Sequence, residues 1–137
     1  MWVRLQRQLH KNLGGCEIAH FASALFLAEE STAERNRRFG ALCARLSATE
    51  RITVERLVYC EAAAGQDLRL TMLHDGNVHE TELVERIIQT VLNHEQECGT
   101  RVGLVVIDHA RLVMAGDPIA SDHVTALLRA LTSIAAK

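Results

Sequence analysis

The amino-acid sequence predicts an α/β fold with a mostly parallel sheet. Two apolar runs, Ala24 to Ala28 and Leu104 to Ile107, have the length and composition of strands buried on both faces. Other segments carry apolar residues at helical spacing, and the longest of these ends near Gly99. Helices and strands that alternate along a chain are typical of a layered α/β domain.

In the first half of the chain, residues 1–20 form a segment of undefined role that begins with a basic, weakly amphipathic helix. The strand at Ala24 to Ala28 follows. Ser31 with Glu34, and Ser47 with Glu50, have the spacing of helix capping boxes, so we expect a helix to begin after each serine. The second helix is short and leads into a strand over residues 57–60.

In the second half, residues 68–73 predict a weak strand. A long helix is expected to start between Asn77 and Glu80 and to close near Gly99, directly before the strand at Leu104 to Ile107. Ser121 is expected to cap a final helix.

Composition narrows the classes of function. The chain has 137 residues and a formal charge of -2, so it suits one domain and gives no support for a broad basic face that would bind DNA. Its four cysteines form no Cys-x-x-Cys pair, and neither a zinc ribbon nor a disulfide framework is indicated. No apolar run reaches the roughly 20 residues that span a bilayer. We expect a cytoplasmic protein without a membrane partner.

Acidic residues follow both apolar strands. Glu29 and Glu30 end the first strand and Asp108 ends the other, at the edge where α/β sheets bind ligands. If the strands are neighbours, the aspartate can hold Mg²⁺ while a glutamate orients and deprotonates an attacking water. The alternative is that each acid only caps the loop after its strand, and the residue pattern does not decide between the two.

Three motifs carry a family resemblance over Ala24 to Ala136. "LFLAEES", "RRFGALCARLSATER" and "GLVVIDHARLV" resemble the first acidic strand, the helical segment after it and the Walker B strand of one ATPase family. This family comprises the RecA-like cores of RepA-type hexameric helicases and related AAA-labelled ATPases of plasmids and phages. "SDHVTALLRALTSIAA" is similar to the helix that follows Walker B in that group.

The resemblance implies a partial RecA-like three-layer fold over residues 21–137. It implies Glu29 as the catalytic glutamate, Asp108 as the Walker B aspartate that positions Mg²⁺, and ATP and Mg²⁺ as ligands. It also implies a homo-oligomer or a completing ATPase fragment as partner, and DNA as a further partner in plasmid or phage replication.

Two departures from the family pattern bear on activity. The phosphate-binding Walker A motif, G-x-x-x-x-G-K-[ST], does not occur in the sequence. The chain also lacks the family's next central strand, so we expect an open sheet edge. We therefore expect no ATP hydrolysis by the chain alone. A non-enzymatic oligomerisation or regulatory module derived from such an ATPase is the alternative.

Two polar clusters have simpler explanations than binding sites. His74 and His79 lie near acids without the His-Glu-x-x-His spacing of a metal site. The arginines Arg35, Arg37 and Arg38 are more typical of a solvated helix face than of a phosphate site.

Overall fold

The computed structural model describes residues 21–108 and 120–137 and confirms the α/β class. The predicted helix within residues 1–20 lies outside the described residues. In chain order the elements are β1 (Ala22–Leu27), α1 (Thr32–Cys43), α2 (Ala48–Leu57), β2 (Val58–Ala62), β3 (Thr71–His74), β4 (Asn77–Glu80), α3 (Glu82–Cys98), β5 (Val102–Asp108) and α4 (Ser121–Ala135).

The main sheet has the strand order β2-β1-β5, and both pairings are parallel. The central strand β1 places Leu25 beside Cys60 of β2 and beside Val106 of β5. Because β1 has a neighbour on each side and helices over its faces, nearly every residue in it is apolar. The order also brings two strands distant in sequence, β1 and β5, into direct contact.

One face of the sheet carries the larger core. Ala24 and Phe26 of β1 are fully buried there, against Ile87 of α3 and Ala130 of α4, which are fully buried as well. Val105 and Ile107 of β5 pack against the same cluster. Alternate residues of each strand therefore anchor helices α3 and α4.

The opposite face is covered over β1 and β2 by helices α1 and α2. Cys43 and Val54 are buried there and pack with Phe39, Leu46 and Val58. A small apolar cavity of about 110 Å³ lies between these helices and the sheet, beside Leu25. Helices on both faces agree with the expected three-layer arrangement.

A β-hairpin occupies the place where the long helix was expected to start. Thr71 of β3 pairs with Glu80 of β4, and His74 pairs with Asn77. The turn residues Asp75 and Gly76 both have positive φ, 49° and 77°, as a type I′ hairpin turn requires. The predicted helix start between Asn77 and Glu80 is therefore wrong, since α3 begins at Glu82.

The helix caps agree with the sequence in part. Ser47 and Glu50 form a complete capping box, and the Ser31 side chain accepts the Glu34 amide at 3.2 Å. The predicted cap at Ser121 is wrong, because Ala120 occupies the cap position of α4 and makes no side-chain bond. None of the described helices is long and apolar enough to cross a membrane.

Candidate functional site

The carboxyl ends of β1 and β5 lie side by side. Leu27 is in register with Asp108, and the Ala28 amide donates a hydrogen bond to the Asp108 carbonyl at 2.6 Å. The backbone immediately before Glu29 is therefore fixed to the backbone of Asp108. The sequence left open whether the two strands are neighbours, and the structure brings both predicted acids to one edge of the sheet, where α/β proteins bind ligands.

The two glutamates after β1 differ in their surroundings. The Glu30 side chain is only 17% exposed and forms an ion pair with the Arg38 guanidinium of α1. The backbone carbonyl of Glu30 accepts a hydrogen bond from the Ala64 amide at 3.2 Å. Glu29 is exposed beside it. Glu30 therefore ties the connection between β1 and α1 to its surroundings.

The arginines of α1 bind groups within the chain. Arg37 and Arg38 donate to Glu34 at 2.8 and 2.6 Å, and these hydrogen bonds, Arg37 first, lower the pKa of Glu34 to about 2. Arg35 donates to the Cys60 carbonyl at 2.8 Å and so joins α1 to β2. Arg37 and Arg38 lie on the exposed face that the sequence predicts, whereas Arg35 is partly buried by its contact with β2.

A further acid at this edge, Glu61, escaped the sequence analysis. The Tyr59 hydroxyl donates to it at 3.0 Å, and Arg86 of α3 approaches its other oxygen at 3.5 Å. Burial, followed by this hydrogen bond, raises the pKa of Tyr59 to about 12. Glu61 therefore joins β2 to α3. Its position in β2 was the available signal, but its partner is distant in sequence.

The pair Glu29 and Asp108 suits a hydrated Mg²⁺ better than an all-protein metal cage. Mg²⁺ prefers oxygen ligands, keeps several waters, and is held through one or two carboxylates together with phosphates. Among residues 21–108 and 120–137, no group of three or more His, Cys, Asp or Glu side chains could hold a metal ion. Glu29 and Asp108 bring two carboxylates to this edge, which is the kind of ligand that such an Mg²⁺ uses.

The histidines of the β3–β4 hairpin lie on the surface. His74 Nε2 lies 3.4 Å from Asp75 Oδ2, and the two side chains are 71% and 88% exposed. His79 is exposed on β4. The hairpin therefore gives no support to a metal site.

Comparison of the chain with protein-family models, with curated proteins and with solved structures found no match.

Proposed function

We propose that residues 21–137 form a partial RecA-like ATPase domain of the RepA type, whose acidic edge at Glu29 and Asp108 takes part in binding Mg²⁺ and ATP. The observation that carries this proposal is the pairing of β1 with β5, which fixes the two acids on adjacent strand ends. Two independent acidic caps would not need to be neighbours. The motifs that resemble the family supply the rest of the support.

The two carboxylates take different roles in this proposal. Asp108 binds Mg²⁺ directly or through water, and the ion neutralises phosphate charge. Glu29 accepts a hydrogen bond from the attacking water and takes its proton. Glu30 holds the connection after β1 through Arg38, and the water-orienting role of Glu29 rests on the family resemblance.

The chain alone should not hydrolyse ATP. A Walker A loop binds phosphates through its backbone amides and lysine, and the sequence contains no such motif. A separate ATPase fragment would supply it, in a cytoplasmic assembly that acts on DNA in plasmid or phage replication.

Calorimetric titration of the purified chain with Mg²⁺ and ATP tests this proposal. We expect weak binding of Mg²⁺ and ATP. Asp108→Ala should reduce the binding affinity on the order of tenfold, because a carboxylate next to a divalent cation contributes strongly to the affinity for that cation. Glu29→Gln should leave ATP turnover absent, as in the unmodified chain. Glu97→Gln, an exposed acid on α3 remote from this edge, is the matched control.

Equal binding by the unmodified chain and by Asp108→Ala would contradict the proposal. No detectable binding by a folded chain would favour the alternative, a non-enzymatic oligomerisation or regulatory module.

A further inference from the structure

The cavity of about 110 Å³ between helices α1 and α2 and the main sheet is bounded by short side chains. Ser23 of β1, Cys43 of α1 and Val54 of α2 meet there, whereas large side chains such as Phe26 and Ile87 fill the core on the other face of the sheet. Protein interiors contain few voids larger than a water molecule. An engineered apolar cavity of roughly 150 Å³ in another protein binds benzene, so a cavity of this size can hold a small ligand.

Ser23 supplies the only side-chain oxygen or nitrogen among the residues that line this cavity. Its side chain lies on the same face of β1 as that of Leu25, which also lines the cavity, and Ser23 is only 3% exposed. In the part of the chain that the structure describes, no hydrogen bond joins the Ser23 hydroxyl to another side chain or to the backbone. A buried hydroxyl without a partner is unfavourable, so a bound molecule that pairs with it gains affinity.

Water is a poor occupant of the cavity. A buried water makes about three hydrogen bonds to polar groups. Ser23 is the one strong partner here, since the thiols of Cys43 and Cys60 are weak donors and acceptors. A molecule with an apolar body and a single hydroxyl group is complementary both to the walls and to Ser23.

We propose that this cavity binds a small neutral alcohol, whose aliphatic chain packs among Leu25, Val54 and Val58 and whose hydroxyl group pairs with Ser23 Oγ. By comparison with the benzene-sized cavity, the volume suits a ligand of about five non-hydrogen atoms. Leu42 lines the cavity and is 46% exposed, so a ligand can enter beside α1. The site does not involve the acids at the ends of β1 and β5.

Titration of the full chain with 1-butanol, followed by NMR of the leucine and valine methyl groups, tests this proposal. Saturable shifts should appear at Leu25, Val54 and Val58, with a dissociation constant on the order of 1 mM. The methyl groups of Val91 and Val105, which pack on the other face of the sheet, should not shift. Shifts that do not saturate, or that are equally large on both faces, would overturn the proposal.

Ser23→Ala tests the role of the hydroxyl group. It should weaken 1-butanol binding on the order of tenfold, because the hydrogen-bond partner is lost. Cyclopentane has a similar size and no hydroxyl group, so its affinity should stay within about twofold. Ser121→Ala, in α4 and exposed, is the matched control and should change neither affinity. Equal 1-butanol binding by Ser23→Ala and by the unmodified chain would overturn the assignment of an alcohol.

Val54→Leu tests the position of the ligand. The added methylene group occupies part of the cavity and should weaken binding of both 1-butanol and cyclopentane by about threefold or more. Undiminished binding by this variant, with native circular dichroism, would place the ligand elsewhere and overturn the proposal. Asp108→Ala should bind 1-butanol as the unmodified chain does, so loss of the proposed metal ligand and loss of this site are distinguishable.

Discussion

Gly103→Ala should destabilise the fold although it adds only one methyl group. A Cβ at Gly103 would lie 2.6 Å from Cγ and 2.7 Å from Cβ of Phe21. These atoms are at the base of the Phe21 side chain, so rotation of the ring cannot relieve the overlap and the backbone must move. Overpacking of this kind costs about 1–3 kcal/mol. Alanine also reduces the conformational entropy of the unfolded chain, which offsets about 0.4–1 kcal/mol of this cost. The net loss in the free energy of unfolding is about 0.5–2 kcal/mol.

Gly40→Ala is the matched control, because it makes the same chemical change in α1 where a new Cβ would meet no atom within 4 Å. Alanine in a helix interior should stabilise by about 0.5–1 kcal/mol. Urea unfolding at one fixed protein concentration should therefore move the two midpoints in opposite directions. An m value of about 2 kcal/mol/M gives a decrease of roughly 0.3–1 M for Gly103→Ala. A Gly103→Ala midpoint at or above that of the unmodified chain would refute the overlap.

Three further substitutions test local features. Ser47→Ala removes half of a complete capping box and should lower the free energy of unfolding in urea by about 1 kcal/mol. The control Ser121→Ala removes no side-chain cap bond and should change it by less than about 0.5 kcal/mol. Equal losses of stability in the two variants would argue against the capping box. Gly76→Ala should cost about 1–2 kcal/mol, since φ is 77° there, and an unchanged midpoint would contradict the turn geometry. The pKa of Glu34 falls from 4.5 to about 2, so its ion pairs stabilise the fold above about pH 4.5 and this contribution is lost as pH falls toward 2. Glu34→Gln should flatten the acid side of the stability–pH curve, and an unaltered slope would show that these ion pairs contribute nothing.

The strands of the parallel sheet were predictable, with ends misplaced by one or two residues. Strand β1 runs over Ala22–Leu27 rather than Ala24 to Ala28, and β5 extends to Val102–Asp108. Strands covered on both faces have nearly continuous apolar sequences, so their existence is easy to detect and their ends are not. The order of the strands required the structure.

The weak strand predicted over residues 68–73 overlaps β3, but β4 and the hairpin were missed, because both strands are short and largely exposed and the sequence shows little alternation of apolar and polar residues. The pair Asp75-Gly76 was the available signal, since this dipeptide favours a type I′ turn. Glu80 was taken for the first turn of a helix, where acids are favoured by the dipole. In the structure it pairs with Thr71 instead.

The candidate site was predictable as two acids at strand ends, but not in its detail. The role of Glu30 depends on Arg38, and that of Glu61 on Arg86. Both partners lie on other elements, so only the packing of α1 and α3 defines them. The RecA-like assignment and the roles of Glu29 and Asp108 stay predictions.

Binding of Mn²⁺, as a paramagnetic substitute for Mg²⁺, tests the central claim most directly. In an NMR titration of the ¹⁵N-labelled chain with Mn²⁺ and ATP, we expect the amide signals of Ala28, Glu29 and Asp108 to broaden first. Asp108→Ala should remove this early broadening at Ala28 and Glu29. Broadening that begins at other acids, such as Asp67 or Glu97, or that persists unchanged in Asp108→Ala, would contradict a metal site at the paired ends of β1 and β5.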